Sequence, residues 1–389
     1  MQRNQKPGFK TREVHAGVSP DPVTGAILTP IYQSTTFVQE SVDQYMSKGF
    51  SYSRSGNPTV VALENRITAL EDGVGTNCFA TGMAATSAVM MAMLNQGEHA
   101  VVSDVVYGGT HRLSTRVLSR FGVEFTFVDT SDLDATRAAI RPNTKLIFTE
   151  TPANPTLKLT DIAAISEIAR EHNIPHAVDN TFLTPYYQRP LELGADLVVH
   201  STTKYMDGHN STVGGAVIAA NQEQLEAIQF VRNCLGSNMS LQVAFYTMQG
   251  CKTMSTRLDR QSESAMKVAE FLETHGMVEE VHYPGLQSFP QYELACKQAS
   301  GFGAMLWFEV KGGVESGKKL MNTLELWSLA ENLGAVESLV THSVTMTHAD
   351  MDPAERQRVG ITDGLVRLSV GLEDADDLIA DLRQALDGL

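Results

Sequence analysis

Two residues that could do chemistry together, Asp179 and Lys204, each follow a short apolar run. Asp179 comes directly after Ala177-Val178, and Lys204 lies just past Leu197-Val198-Val199. Both runs are typical of buried strands, and the carboxyl ends of neighbouring parallel strands meet at one edge of a sheet. We therefore expect both side chains at one crevice, although such a pair is often only an ion pair on the surface.

The residues around Lys204 suit a phosphate group. The run HSTTK (200–204) places hydroxyls beside the lysine, and the glycine-rich run GHNSTVGG (208–215) follows it. Hydroxyls and free backbone N–H groups are what a phosphate monoester needs. A lysine and an acid beside such a cradle suit pyridoxal phosphate, because the lysine attaches the aldehyde and the acid keeps the pyridine nitrogen protonated.

Two further segments are expected at the same edge. Thr81-Gly82-Met83 stands at the predicted start of a helix, where free N–H groups and the helix dipole would hold the same phosphate. Tyr107 follows the strand that ends near Ser103, and an aromatic ring there can stack on a cofactor. Each has a plainer interpretation: the glycine allows tight helix packing, and the tyrosine is a core residue at a turn.

The elements that must position these residues alternate between short β-rich runs and longer amphipathic segments. Asn57-Pro58 is a good helix start, with a helical pattern up to Gly73. The β-rich runs are 100–102, 123–128, 146–148, 177–178 and 197–199, with helices predicted near 110–120, 132–140 and 160–172. This alternation predicts a mostly parallel sheet covered on both faces, with ligands beyond the carboxyl ends of its strands.

The alternation stops near residue 220, and the rest of the chain has a different organisation. Helical stretches come first and a smaller α/β unit follows: helices near 222–234 and 240–274, strands near 302–310 and 365–370, and a helix near 374–386. The first fifty residues lack sustained periodicity. We therefore predict three parts, an N-terminal arm (1–53), a cofactor domain (54–248) and a C-terminal domain (249–389).

Composition limits the class of protein. Lys and Arg total 30 against 45 Asp and Glu, a formal net charge of −15, so phosphate backbones would repel the chain and no nucleic-acid partner is expected. The four cysteines have no CxxC spacing, and the N-terminus lacks the apolar core of a signal peptide. The most apolar segment, 83–94, is too short to span a bilayer. These features predict a cytoplasmic protein without a membrane segment.

Other classes of function have weaker support in the sequence. A dinucleotide oxidoreductase would also be rich in βα units, but no GxGxxG run lies between a first strand and helix. A metal centre is not expected, because His111, His200 and His209 lack a zinc-like arrangement with carboxylates. A noncatalytic protein on the same scaffold remains an alternative, although it would have no need of Lys204 and Asp179.

A series of motifs in order resembles the Cys/Met-metabolism family of pyridoxal-phosphate enzymes, the trans-sulfuration group. The longest is DLVVHSTTKYMDGHN (196–210). The others are YSRSGNPT (52–59), ATGMAA (80–85), VYGGTHR (106–112), ETPANPT (150–156), VDNTF (178–182), VGGAV (213–217), LAENLGAVESL (329–339), MTHADM (346–351) and LVRLSVGLED (365–374). The resemblance runs from about Thr11 to the C-terminus. It implies the α/β architecture of a fold-type-I pyridoxal-phosphate-dependent transferase.

The resemblance implies catalytic and substrate-binding roles for the matching residues. Lys204 would carry the cofactor and then move protons between the α and β carbons of the substrate. Asp179 would pair with the pyridinium, and Tyr107 would stack on the ring and handle the proton of the amine or leaving group. Arg367 would grip the α-carboxylate of the substrate as a bidentate fork, assisted by Asn154.

The resemblance also implies a shared active site. The phosphate would be bound within one subunit by Gly82, Met83, Ser201 and Thr203. In this family the Tyr and Arg of YSR reach the phosphate of a neighbouring subunit, which assigns Tyr52 and Arg54 to the site of another chain. We therefore expect a homo-oligomer, at least a dimer and by resemblance a tetramer.

Three positions bear on the substrate. Arg112 matches an arginine that cystathionine enzymes direct at the distal or negatively charged end of the substrate, and Glu331 matches a glutamate of the cystathionine γ-lyases and γ-synthases. A plainer interpretation of Glu331 is a solvated charge. Methionine γ-lyases instead have an apolar residue there and a cysteine at the position of Gly109. Two departures from the family, at Asn332 (usually Ser) and in segment 241–254, leave the subclass open.

These positions favour a cystathionine γ-lyase or γ-synthase over a methionine γ-lyase, and of the two the γ-lyase, a γ-elimination, is preferred. The expected reaction converts cystathionine to cysteine, 2-oxobutanoate and ammonia, with Asn332 among the residues that contact the substrate. The alternative is γ-replacement, as in a cystathionine γ-synthase or a homoserine-ester sulfhydrylase. Methionine γ-lyase and β-lyase activities are less expected.

Overall fold

The computed structural model describes residues 6–346, 349 and 351–389, and two sheets organise them. Thr347, His348 and Asp350 of the MTHADM motif lie outside the described residues. A seven-stranded sheet is formed from residues 75–219, and a five-stranded sheet from residues 278–369.

The elements up to residue 219 build the larger sheet and its covering helices. In chain order they are α1 Phe9–His15, α2 Pro58–Glu71, β1 Gly75–Phe79, α3 Gly82–Met93, β2 His99–Ser103, α4 Gly108–Arg112, β3 Glu124–Val128, α5 Leu133–Ala139, β4 Thr144–Glu150, α6 Ile162–Glu171, β5 His176–Asp179, α7 Thr184–Tyr187, β6 Leu197–His200 and β7 Gly215–Ala219. A π-helical turn (Leu113–Val117) and two 3₁₀ turns (Leu118–Phe121 and Pro190–Leu193) complete this part.

The elements after residue 219 are the strands of the smaller sheet and further helices, the first two of which pack against α2, α3 and β1. They are α8 Gln222–Leu235, α9 Leu241–Cys251, α10 Met254–Glu273, β8 Val278–His282, α11 Tyr292–Gln298, β9 Met305–Val310, α12 Gly313–Thr323, β10 Ser328–Leu329, β11 Leu339–His342, α13 Pro353–Arg358, β12 Leu365–Ser369 and α14 Ala375–Asp387. The sheet order is β10-β11-β12-β9-β8. The predicted smaller C-terminal α/β unit is therefore confirmed, while the boundaries at 53/54 and 248/249 stay a prediction.

The larger sheet has the order β1-β7-β6-β5-β4-β2-β3. Neighbours from β6 to β3 pair in parallel, and β7 pairs antiparallel with both β6 and β1. Alternate residues of one strand pack on opposite faces: Val198 lies in one core cluster and Val199 in another. The mostly parallel sheet covered on both faces is confirmed, and the carboxyl ends of β2, β4, β5 and β6 share one edge.

The helix start predicted at Asn57-Pro58 is confirmed. The Oδ1 of Asn57 accepts the backbone N–H of Thr59 at 3.0 Å, and α2 ends where Asp72 adopts a left-handed conformation at φ 62°. The helix predicted near 110–120 is instead α4 followed by the π and 3₁₀ turns. Ser114 and Thr115 donate their hydroxyls to carbonyls four residues back, a contact that bends helices.

The single helical stretch predicted for 240–274 is two helices, α9 and α10. A Cβ on Gly250 would lie 2.1 Å from the carbonyl oxygen of Asp207, so only glycine lets the end of α9 approach that loop. The carbonyl of Gly250 accepts a hydrogen bond from Arg257 at 2.8 Å, outside the helical pattern. The irregular arm contains the short helix α1, and strands β1, β7, β8, β10 and β11 were not predicted.

Candidate active site

A cavity of about 300 Å³ lies at the carboxyl edge of the larger sheet, where the smaller sheet faces it. Most of the predicted site residues line it, namely Gly82, Met83, Tyr107, Arg112, Asn154, Asp179, Ser201, Thr203, Lys204, Glu331, Asn332 and Arg367. Tyr52 and Arg54 are not among the lining residues. The crevice predicted from strand ends therefore exists, and it gathers residues from both sheets.

The start of α3 forms one end of the cavity. Thr81 caps this helix, because its Oγ1 accepts the backbone N–H of Ala84 at 2.9 Å. The N–H groups of Gly82 and Met83 belong to the first turn, so they have no acceptor within the helix and point out of its end. Such a helix start binds phosphate through these N–H groups and the helix dipole.

Two hydroxyl residues of the loop after β6 lie beside this helix start. A Cβ on Gly82 would be 2.9 Å from the Cβ of Ser201, so glycine is required for their close approach. Gly215 of β7 acts in the same way, since a Cβ there would be 2.3 Å from the carbonyl oxygen of Thr81. The hydroxyl of Thr203 accepts the N–H of Gly214 at 3.0 Å and donates to its carbonyl at 3.2 Å.

Asp179 ends β5 in the middle of the cavity wall. Its Oδ1 accepts the backbone N–H of Thr181 at 3.0 Å and the hydroxyl of Thr181 at 2.6 Å, and that hydroxyl accepts the N–H of Ser201 at 2.9 Å. Burial raises the pKa of Asp179, and the hydrogen bonds from Thr181 oppose the rise. A cation placed against this carboxylate would stabilise its charged form, so the position suits a protonated pyridine nitrogen.

Lys204 follows β6 on the loop that lines the cavity. Its Nζ donates to the Oδ1 of Asn332. Burial, and to a smaller extent the charge on Arg367, lowers the pKa of Lys204 to about 8. An amine with this pKa has an appreciable neutral fraction at neutral pH, and the neutral form is the one that attacks an aldehyde.

Arg367 reaches the cavity from β12 of the smaller sheet and is 4% exposed. Its Nη1 donates to the Oδ1 of Asn154 at 2.8 Å and its Nη2 to the backbone oxygen of Asn332 at 3.1 Å. The buried Nε finds no acceptor among the described residues. Burial lowers the pKa of Arg367 to about 10, so the side chain stays charged at neutral pH and can bind a carboxylate.

Glu150 is a candidate that the sequence motifs did not single out. It ends β4 next to Asp179, lines the cavity and is 5% exposed. Its Oε2 accepts the backbone N–H of Tyr107 at 2.7 Å, and its Oε1 accepts that of Asn154 at 3.0 Å. Burial, followed by the charge on Asp179, raises the pKa of Glu150. In the sequence it stands two residues after the end of the apolar run 146–148, a position near a strand end like that of Asp179.

Arg112 and Glu331 border the cavity from different parts of the chain. Arg112 ends α4, and Glu331 follows β10 with an exposed side chain. The negative charge of Glu331 opposes the lowering of the Arg367 pKa, so the two groups interact electrostatically. The cavity therefore offers a third cationic side chain, Arg112, and an exposed acid, Glu331, in addition to Lys204 and Arg367.

Tyr52 and Arg54 lie outside the cavity of their own chain. Arg54 donates to the backbone oxygen of Asn233 at 2.6 Å and to its side-chain oxygen at 3.0 Å. The guanidinium also lies 5.5 Å from the ring centre of Tyr52, which is 43% exposed. Both side chains are on the surface of the described chain.

The lining residues fit pyridoxal phosphate: a helix start with Ser201 for the phosphate, the half-buried acid Asp179 for the ring nitrogen, and Lys204 with a lowered pKa for the aldehyde. Within the described residues, no group of three or more His, Cys, Asp or Glu side chains is arranged to hold a metal ion. No helix of the described part of the chain has both the length and the apolar character of a membrane span.

Comparisons with known proteins agree with this fit. A family model described as Cys/Met metabolism PLP-dependent enzyme matches residues 10–387. The chain is 47% identical over 380 residues to the cystathionine gamma-lyase of Bacillus subtilis (98% of this chain, 99% of the relative). It is 46% identical over 394 residues to the L-methionine gamma-lyase of Fusobacterium nucleatum subsp. polymorphum (98% and 99%). The crystal structure of metB from Corynebacterium glutamicum superposes with a TM-score of 0.95 at 45% identity, covering 98% of each chain.

These matches extend over nearly the whole chain, and the predicted fold-type-I architecture and the pyridoxal-phosphate cofactor are both confirmed. The protein is an enzyme that uses this cofactor in the metabolism of sulfur amino acids. The chain belongs to the family of Cys/Met metabolism PLP-dependent enzymes.

Proposed function

We propose that the enzyme catalyses γ-elimination on cystathionine, with cysteine, 2-oxobutanoate and ammonia as products. The observation that carries this proposal is that one cavity holds Glu331 and Arg112 in addition to Arg367 and Lys204. Cystathionine has an amino-acid head group at each end. One carboxylate would pair with Arg367, while the distal ammonium and carboxylate would pair with Glu331 and Arg112.

The cofactor would be held by groups at three places in the cavity. The N–H groups of Gly82 and Met83, together with Ser201, would bind its phosphate, Asp179 its ring nitrogen, and Tyr107 the face of its ring. When bound, pyridoxal phosphate withdraws electrons from the α carbon of an amino acid, which acidifies the proton there.

Lys204 would move protons at the α and β carbons of the substrate. Its pKa of about 8 suits this task, because an amine near neutrality can both accept and return a proton. Asn332 accepts a hydrogen bond from its Nζ and so limits where the amine can point. Arg367, anchored on Asn154 at 2.8 Å, would fix the α-carboxylate and thereby present the α proton to Lys204.

The geometry around Gly109 argues against methionine as the main substrate. A Cβ at this position would lie 2.5 Å from Cε1 of Tyr107 and 2.7 Å from the sulfur of Met83. The cysteine that methionine γ-lyases have there would therefore displace the Tyr107 ring in this chain. Sequence identity does not distinguish cystathionine γ-lyase from methionine γ-lyase activity. The chain is 47% identical to the first relative named above and 46% identical to the second.

A second candidate function is γ-replacement on a homoserine ester. Arg112 supports it, because a cation at the cavity suits the free carboxylate of a succinyl leaving group. The two reactions share their early proton transfers and differ in whether a thiol or water meets the unsaturated product.

The proposal includes self-association, at least to a dimer. Tyr52 and Arg54 lie outside their own cavity, and the arm before them exposes apolar side chains such as Val38 (90%) and Val42 (92%). A second copy of the chain would cover these side chains and receive Tyr52 and Arg54 at the phosphate end of its cavity.

A comparison of substrates tests the proposed reaction. The holoenzyme is incubated with cystathionine, with O-succinylhomoserine plus cysteine, with O-acetylhomoserine plus sulfide, and with methionine, and kcat/KM is compared. We expect the highest value for cystathionine. A large advantage for methionine would refute the interpretation of Glu331 and Gly109, and an advantage for O-succinylhomoserine plus cysteine would select γ-replacement.

A further inference from the structure

Glu150 connects two parts of the cavity that the proposed reaction uses separately. Its two carboxylate oxygens accept hydrogen bonds from different segments: Oε2 from the backbone N–H of Tyr107 at 2.7 Å, and Oε1 from the backbone N–H of Asn154 at 3.0 Å. Tyr107 immediately precedes α4, whereas Asn154 lies in the loop after β4. One side chain therefore spans two loops that are far apart in sequence.

Each loop carries a different part of the proposed site. The ring of Tyr107 lines the cavity where a cofactor ring would lie, and Asn154 holds the guanidinium of Arg367 through its Oδ1 at 2.8 Å. The chain of contacts thus runs from the Tyr107 backbone through Glu150 and Asn154 to Arg367. A displacement of the Glu150 carboxylate would therefore change the distance between the Tyr107 ring and the Arg367 guanidinium.

The chemistry of these contacts requires a carboxylate of this length. Two backbone N–H donors approach two different oxygens of one carboxyl group, and each of these oxygens has a lone pair that can accept. A glutamine would direct its NH₂ group at one of the donors, and an aspartate would be one methylene too short to reach both. Glu150 is also 5% exposed and lies beside Asp179, an unfavourable place for a second acid that only filled space.

We propose that Glu150 is a positioning residue that sets the distance between the Tyr107 ring and the Asn154–Arg367 pair. It thereby fixes the position of the substrate carboxylate relative to the cofactor ring. This inference rests on the proposed function, because it assigns those two parts to cofactor and substrate. Glu150 itself acts through its two neighbours.

The test compares the wild-type holoenzyme with Glu150→Asp and Glu150→Gln. We expect pyridoxal phosphate to remain trapped on Lys204 by borohydride in both variants. We expect the visible circular dichroism of the bound cofactor to weaken and KM for cystathionine to rise about tenfold or more, the effect of a buried donor left without its acceptor, with kcat changing less. The circular dichroism reports on the cofactor beside Tyr107 and does not depend on turnover.

Asp381→Asn is the matched control. Asp381 is also a buried carboxylate that accepts backbone N–H groups, those of Glu325, Leu326 and Trp327, but it does not line the cavity. We expect this variant to lower the melting temperature and to leave KM and the cofactor spectrum unchanged.

The outcomes separate the inference from the function on which it rests. If the wild-type protein traps no pyridoxal phosphate on Lys204, the proposed function fails first. If wild type behaves as expected but both Glu150 variants keep its KM and its circular dichroism, the positioning role is refuted. A change in KM alone, or in circular dichroism alone, would refute the coupling between the Tyr107 ring and the Asn154–Arg367 pair. Equal changes in Asp381→Asn would show that Glu150 is merely structural.

Discussion

Arg367→Lys tests the group proposed to bind the α-carboxylate of the substrate. The substitution keeps a positive charge but replaces a planar fork of donors with a single ammonium. In the structure the fork does two things at once, since Nη1 donates to Asn154 at 2.8 Å and Nη2 to the backbone of Asn332 at 3.1 Å. A lysine cannot keep both contacts and still present a pair of donors to a ligand.

The expected magnitude follows from the donors that are lost. A hydrogen bond to a charged group contributes about 1.5–3 kcal/mol, and each 1.4 kcal/mol is a factor of ten. Loss of one donor to the carboxylate therefore lowers kcat/KM by about 10-fold to 150-fold. Because Arg367 is only 4% exposed, water cannot readily replace the missing donor.

The assay is steady-state kinetics with cystathionine, and Arg66→Lys is the control. The Arg66 guanidinium is fully buried and donates to the backbone oxygens of Val14, Ala16 and Met248, away from the cavity. We expect Arg66→Lys to reduce the melting temperature without changing KM, and Arg367→Lys to raise KM. An unchanged KM in Arg367→Lys, or the same increase in both variants, would refute the assignment of Arg367 to the carboxylate.

Three further predictions concern subunit sharing, substrate choice and stability. Lys204→Ala and Arg54→Ala should each be inactive, but their co-expression should restore about a quarter of wild-type activity, because one site of each mixed dimer is complete. Glu331→Ala should raise KM for cystathionine more than KM for methionine, which has no distal ammonium. Burial lowers the pKa of His176 from 6.5 to about 3, so the unfolded chain takes up a proton first as pH falls. Protonation of His176 in the unfolded chain should lower the free energy of unfolding by about 2 kcal/mol at pH 5 relative to pH above 6.5. The His176→Gln variant should not show this loss.

Each of these predictions has a contrary result. No recovery of activity on co-expression, with mixed oligomers demonstrated by tagged subunits, would show that Arg54 acts within its own chain. Equal effects of Glu331→Ala on both substrates would make Glu331 a solvated charge. Denaturant unfolding of His176→Gln that keeps the wild-type dependence on pH between 5 and 7 would assign the acid sensitivity to another group.

The local sequence pattern is sufficient to predict the part of the site that lies on consecutive strands. Asp179 and Lys204 follow β5 and β6, which pair in parallel, so the rule about strand ends places both at one edge. The helix start at Thr81 carries its own signal, a capping residue followed by glycine, and the cap is observed. In each case a few neighbouring residues determine the geometry.

The sequence pattern does not predict those elements whose structure depends on distant segments of the chain. Strand β1 reads GTNCF and contains residues that are depleted in strands, yet it is buried because it pairs with β7 and packs beneath α2. The position of Glu150 near a strand end indicates the edge of the sheet but not its role, because its two partners are backbone N–H groups whose positions depend on how two loops pack. Arg367 could be assigned only by resemblance, since it reaches the cavity from the other sheet.

The charges of the cavity give a physical reason for a shared active site. Among the described residues that line it, the cations are Arg112, Lys204 and Arg367. In the proposed function each has a task away from the phosphate: Lys204 holds the cofactor aldehyde, Arg367 the α-carboxylate and Arg112 the distal end of the substrate. The phosphate end has hydroxyls and N–H groups, and Thr203 already uses its hydroxyl on Gly214.

Hydrogen bonds from neutral donors leave the two negative charges of the phosphate without a counter-ion, and a nearby cation would add Coulombic stabilisation to those bonds. By resemblance to the family, Arg54 would be the cation at the phosphate of another chain, and it lies outside the cavity of its own chain. An Arg54 donated by a second copy would supply the missing charge where the single chain has only dipoles. The overall charge of −15 is then no obstacle to binding an anionic cofactor, because the oligomer would provide the cation locally.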